Sequence, residues 1–162
     1  MKRYLIVFAT ALTLLIAHPG MTQSKSVEAL YQKHKSNPEF FHLDLGGSFM
    51  NFANSMDVKL ENGQVEAITN SMERLKMFKL PANGSQAQAE FSTLKKSLER
   101  EKFDLMMEAS EKNSSFLIYT KGSKRVSDVV VLLKDKSEEF IIIELQGDFD
   151  SKALAEVGNS IK

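Results

Sequence analysis

The stretch from Arg125 to Phe149, RVSDVVVLLKDKSEEFIIIELQGDF, limits the fold more than any other part of this sequence. Val129 to Leu133 is apolar without a break, and so is Phe140 to Ile143. β-Branched side chains lose freedom in a helix and pack well on a pleated surface, so both runs predict strands. Alternation places Val129, Val131 and Leu133 on one face and Val130 and Leu132 on the other. Strands apolar on both faces belong near the middle of a sheet. Such a sheet is covered on both sides, or covered on one side and turned toward a partner on the other. Lys134 to Glu139 is polar and short enough for an antiparallel hairpin, and Gly147 is expected to end the second strand.

The N-terminus carries information of another kind. Lys2 and Arg3 precede an apolar run from Tyr4 to Ala17 broken only by two threonines, and His18-Pro19-Gly20 stops any helix. This is the pattern of a secretory signal peptide, too short to span a bilayer comfortably. An uncleaved membrane anchor is the alternative. Gly20 and Thr22 as the small residues place the cut before Gln23, and a position a few residues either way fits as well. Residues 1–22 are therefore read as a leader, and 23–162 as one domain long enough for a real core. The expected location is periplasmic or extracellular.

Cysteine is absent from the chain. A lipoprotein carries its acyl chains on a cysteine at the cleavage site, so lipidation is excluded, as are disulfides, thiol chemistry and cysteine-held metals. Lysine plus arginine and aspartate plus glutamate number 21 each; removing Lys2 and Arg3 from the 21 basic residues leaves 19. A near-neutral chain is not steered toward nucleic acid or an anionic membrane. Without tryptophan, a sugar site built on indole platforms is not on offer.

Between leader and hairpin the pattern alternates between helix and strand. Val27, Leu30, Tyr31 and His34 have helical spacing with Ser26 as an expected N-cap, and Asn37-Pro38 breaks the helix. Phe41, Leu43 and Leu45 against Phe40, His42 and Asp44 read as a half-buried strand. Gly46-Gly47-Ser48 is a turn, followed by a short amphipathic helix on Phe49, Phe52, Ala53 and Met56. Residues 57–63 read as loop, Val65, Ile68 and Met72 as a short helix, and Leu75 to Leu80 as a strand ending at Pro81. Ala82 to Gln88 reads as a small-residue linker before a helix on Phe91, Leu94 and Leu98. Alternation over 103–109, a turn at Lys112-Asn113-Ser114 and a return strand over 115–120 lead into the hairpin. Asp150 or Ser151 then caps a last helix carrying Ala153, Leu154, Val157 and Ile161. The fold class is α+β: a mostly antiparallel sheet with a C-terminal four-stranded meander, helices mainly on one face, and a closing C-terminal helix.

Phe103-Asp104-Leu105-Met106-Met107-Glu108 resembles the aromatic-acidic-x-Leu-Met pattern that opens the strand block in a group of exported bacterial proteins. Ile118-Tyr119-x-Lys121 and Val126-x-Asp128-Val129-Val130 are similar to its next two strands. Gln146-Gly147-Asp148-Phe149 resembles its closing step, and Leu30-Tyr31 with Phe49 its amphipathic start. The group is the domain-of-unknown-function family numbered 4252, found mainly in Bacteroidetes. The resemblance implies a cell-envelope or secreted α+β domain with no established activity. Its relatives carry lipoprotein or plain signal peptides, and this chain fits the second kind. The shared motifs are packing patterns, so no functional residue is carried over.

Candidate chemistry is sparse. His34 and His42 lack the close spacing of a zinc helix, although the two could share a site with Asp44 if helix and strand pack together. Gly46-Gly47-Ser48 lacks the lysine and glycine spacing of a phosphate loop. Asp148-x-Asp150 starts like a calcium loop without its later glycine and glutamate, and helix capping explains it better. Lys121, Lys124 and Arg125 crowd one turn and could meet phosphate or an acidic glycan, although charge at a hairpin tip is normally just solvated. Asp104 and Glu108, expected on one strand face, would stand about 13 Å apart, too far for paired acid-base work. The many methionines suit either core filling or an adaptable interface. No cofactor, metal or catalytic residue is indicated. Two functions follow: a non-enzymatic module binding an envelope protein or the cell surface, and a small-ligand binder or hydrolase with a site around His42 and Asp44, joined by distant residues such as Glu108.

Overall fold

The computed structural model describes residues 23–48, 51, 68–81 and 84–160. The expected leader, most of the helix expected on Phe49, Phe52, Ala53 and Met56, the expected loop at 57–63, and Val65 and Ile161 lie outside the described residues.

Helix α1 (Lys25–His34) is followed by strands β1 (His42–Leu45) and β2 (Met72–Lys79) and helix α2 (Gly84–Arg100). Strands β3 (Asp104–Glu111), β4 (Ser114–Gly122), β5 (Arg125–Lys134) and β6 (Phe140–Asp150) come next, and helix α3 (Ser151–Ser160) closes the chain. The six strands form one sheet in the order β1-β2-β6-β5-β4-β3, with every neighbour antiparallel. The last four strands are the expected meander. β2 pairs with its open edge, so the Arg125–Phe149 hairpin lies at the centre of the sheet.

One face of this sheet is sealed by α1 and α2. Val27 and Tyr31 of α1, and Ala87, Phe91, Leu94 and Leu98 of α2, point down onto Phe78, Leu117, Tyr119, Val130, Leu132 and Ile142. Burying each large apolar side chain stabilises by roughly 1.5–3 kcal/mol, which makes this layer the main source of stability. The two helices are antiparallel and tied at both ends. Lys33 and His34 meet the Glu90 carboxylate, each at 2.7 Å. At the other end Glu101 accepts from the N–H groups of Lys25 (3.0 Å) and Ser26 (2.8 Å).

Several local expectations are corrected. The N-cap of α1 is Ser24, whose hydroxyl accepts from the Val27 N–H at 3.2 Å; Ser26 lies inside the first turn. The supposed linker from Ala82 to Gln88 is helical from Gly84, because Gln86, Ala87 and Ala89 are good helix formers and Ala87 reaches the core. Met72 belongs to β2, and among the described residues just before it Ile68 to Asn70 are helical. Gly147 does not end β6, which runs on to Asp150. The glycine is needed because the Ser71 backbone approaches it: a Cβ there would sit 2.1 Å from the Ser71 carbonyl oxygen, which accepts from the Asp148 N–H at 3.1 Å. Asp150 does cap α3, accepting from the N–H groups of Lys152 (2.8 Å) and Ala153 (3.3 Å).

The second face of the sheet is apolar as well. Ile118, Val126, Val129 and Phe149 pack with Leu154 of α3 and with Ile68 and Met72 at one end. Beyond that end Val131, Leu133, Ile141, Ile143 and Met77 are only half-buried among the described residues. At the β1 edge Phe41 is 58% and Leu43 37% exposed.

Candidate functional site

The sheet face under α1 carries a polar row inside the apolar layer. Strand pairing puts Asp44 of β1 beside Lys76 of β2, Lys76 beside Glu144 of β6, and Arg74 beside Gln146. Asp128 of β5 pairs with Gln146 on the other side. Lys76, Asp128, Glu144 and Gln146 are each at most 4% exposed. These residues are in phase with Phe78, Ile142 and Val130, so the pleat that buries the core also buries them.

The row is only partly satisfied. Lys76 donates to Glu28 of α1, and its Nζ lies 3.9 Å from Glu144 Oε2, an ion pair without a hydrogen bond. Glu144 Oε1 accepts from the Ser24 N–H at 3.0 Å. Glu144 Oε2 and both side-chain polar atoms of Gln146 have no hydrogen-bond partner among the described residues. Buried polar groups are normally paired, so three in one place are costly and informative. Asp128 accepts from the Ser127 hydroxyl at 2.8 Å. Arg74 grips Asp44 through two hydrogen bonds, of 2.9 and 2.7 Å.

Protonation follows from this packing. Burial pushes the Glu144 carboxyl up to about 7; the Ser24 N–H and Lys76 oppose the shift, while Asp128 and Glu28 add to it. Burial also acts to raise Glu28, but hydrogen bonds from Lys76 and Gln32 outweigh it and hold that carboxyl below its usual range. The Arg74 hydrogen bond holds Asp44 low despite some burial. The row can therefore take up or release a proton near neutrality and can accept a further hydrogen-bond donor. No cluster of three or more histidine or acidic residues suited to a metal ion occurs among the described residues.

His42 and Asp44 lie on one face of β1 but do different things. The His42 ring stacks on Phe40 at 5.4 Å and meets Tyr31 edge-on at 5.5 Å, while Asp44 is held by Arg74. Glu108 cannot join them, because β3 and β1 are opposite edges of the sheet, five strand spacings or about 24 Å apart. A bulge between Leu105 and Met107 also puts Asp104 and Glu108 on opposite faces: they pair with Thr120 and Leu117, whereas a regular strand would keep them on one. His34 is tied to Glu90 and does not pair with His42.

The basic turn is divided. Lys121 lies 5.2 Å over the Phe103 ring, Arg125 is bound by Asp148 at 2.6 Å, and Lys124 offers its carbonyl oxygen to the Ser151 N–H. An open polar depression of about 710 Å³ lies beside Asp44, Gly46, Gly47, Asn70 and Arg74. A second, apolar groove of about 530 Å³ runs between α1 and α2 over Ala29, Leu30, Ala89 and Leu94.

Lys76, Glu144, Gln146 and Asp128 are not among the functional candidates that the sequence offers. One signal was available: Glu144 and Gln146 continue the alternation of Phe140 and Ile142, so a strand whose core face is apolar should bury them too.

A family model described as a domain of unknown function, numbered 4252, matches residues 31–157, and the chain belongs to that family. No curated protein and no solved structure matches it.

Proposed function

We propose that this member of family 4252 is an exported, non-enzymatic module that binds another envelope protein through the second face of its sheet. The observation carrying this reading is the apolar surface that continues past α3. Val131, Leu133, Ile141, Ile143 and Met77 are half-buried there, and Phe41 and Leu43 are exposed at the rim. A contiguous apolar surface of this kind on a folded domain supports a contact with a partner. A second support is the fate of the polar candidates. Asp44, Arg125, His34 and Glu90 are each committed to an intramolecular partner, which leaves little chemistry aimed outward. The partner implied is a protein offering an apolar strand or helix face.

The test is purification of the tagged chain from its native envelope after mild crosslinking, alongside the variant Ile143→Lys. That substitution changes the second face and leaves the layer under α1 and α2 intact. A stoichiometric partner with wild type that is absent with Ile143→Lys supports the module. Recovery of wild type alone and monomeric sinks it.

A further inference from the structure

We propose that removal of the leader completes the buried polar row: the α-ammonium group of Gln23, created by cleavage after Thr22, docks against the Glu144 carboxylate. The inference rests on the export reading and adds a defined N-terminus to it. Cleavage adds water across the Thr22–Gln23 peptide bond. The hydroxyl goes to the Thr22 carbonyl carbon and a hydrogen to the Gln23 nitrogen, which takes one more proton to become an ammonium ion.

Geometry brings that nitrogen to the row. Ser24 is fully buried, and its N–H already donates to Glu144 Oε1 at 3.0 Å. Consecutive α-carbons lie about 3.8 Å apart, so the Gln23 nitrogen is one residue from this contact. The Gln23 side chain is itself anchored, its amide donating to Glu28 Oε2 at 2.7 Å. Cleavage one residue later would turn the Ser24 N–H into the terminus itself. Cleavage beyond Ser24 would remove the cap of α1. The export signal leaves the cut site open by several residues; the structure favours the bond before Gln23.

Charge and hydrogen bonding point the same way. Among the described residues, the groups facing Glu144 are Glu28 from α1, Lys76 and Arg74 from β2, and Asp128 from β5. With Glu144 that makes three carboxyl groups against two cations among the described residues, a balance that a further positive charge would suit. Among the described residues Glu144 Oε2 and the Gln146 amide oxygen have no hydrogen-bond partner, so both can accept from a further donor. An ammonium group brings one charge and three donors.

The experiment uses the full-length chain, expressed in an exporting bacterium and recovered after processing. Mass spectrometry of the intact N-terminus comes first, followed by acylation kinetics of the terminal amine with a succinimidyl ester. The expected result is a chain starting at Gln23 with an uncyclised amine. Its acylation is roughly tenfold slower than in the Glu144→Gln variant, and its titration midpoint lies above the ordinary terminal-amine value of about 7.7–8.0. The midpoint is read on wild type alone, so the test stands even if Glu144→Gln folds poorly. A chain still starting at Met1 would overturn the export reading and this proposal with it. A processed chain starting elsewhere, a cyclised Gln23, or an amine that reacts like that of a short peptide would overturn this proposal alone.

Discussion

Replacing Lys76 with methionine removes the cation 3.9 Å from Glu144 Oε2 and leaves a side chain of similar length. Consider the chain in which Gln23 is still peptide-bonded to Thr22. There the Glu144 carboxyl titrates at about 7, against an ordinary value of 4.5. A carboxyl raised by folding favours the fold while protonated, so its contribution is full below the ordinary value and is lost as pH rises through about 7. Lys76 limits that loss. Two unit charges at this separation attract by about 4 kcal/mol at an effective dielectric near 20, so without Lys76 the carboxyl stays protonated beyond pH ~8.5. Ionisation at about pH 8.5 gives wild type roughly 2 kcal/mol that the variant forgoes, whereas at about pH 5.5 both are protonated. Lys76→Met should therefore lose roughly 2 kcal/mol more at the higher pH than at the lower. The loss common to both pH values, from the Glu28 contact, should be about 1 kcal/mol or less because Glu28 is one-third exposed. Urea denaturation of that uncleaved chain at both pH values, with Glu144→Gln and Lys76→Met/Glu144→Gln alongside, measures this directly. Equal losses at both pH values, or a difference that survives in the double variant, would refute the assignment of the titration to Glu144.

Three further changes test the local structure. Lys102 takes a positive φ of 63° where α2 ends, with the Phe103 N–H bonded to the Leu98 carbonyl oxygen at 3.0 Å; this is the left-handed turn that glycine favours. Lys102→Gly should raise stability by about 1 kcal/mol, seen as a higher melting temperature. Gly147→Ala forces a methyl group against the Ser71 carbonyl oxygen and the Phe149 ring, and should cost roughly 2 kcal/mol or more in urea denaturation. Asp150→Ala removes the cap of α3 and should cost about 1 kcal/mol, with faster amide exchange at Lys152 and Ala153.

The sequence was most legible where burial has one simple period. The two β-branched runs gave the central hairpin because their residues are apolar on both faces, and β5 and β6 do lie in the middle of the sheet. Alternation around Phe41 and Leu43 likewise identified β1. Single residues with a second duty are less legible. Gly147 looks like a terminator, yet it is required by the Ser71 backbone about 75 residues earlier in the chain, a contact no local window contains. The start of α2 was lost because small residues serve both linkers and tightly packed helices. The polar row was missed for a related reason. Lys76 and Glu144 look like ordinary charged residues within strands, and their burial depends on α1 lying above them. The bulge in β3 has no marker in the Leu105-Met106-Met107 run, and it alone separates Asp104 from Glu108.

The role proposed for the second face of the sheet is protein binding. It is tested most directly by placing a photo-crosslinking amino acid at Ile143, or at Lys96 on α2 as a control, and irradiating cells that export the chain. One discrete protein adduct is expected from position 143 and none of that size from position 96. Adducts equal at both positions, or none from 143 while the chain is folded and exported, would contradict it.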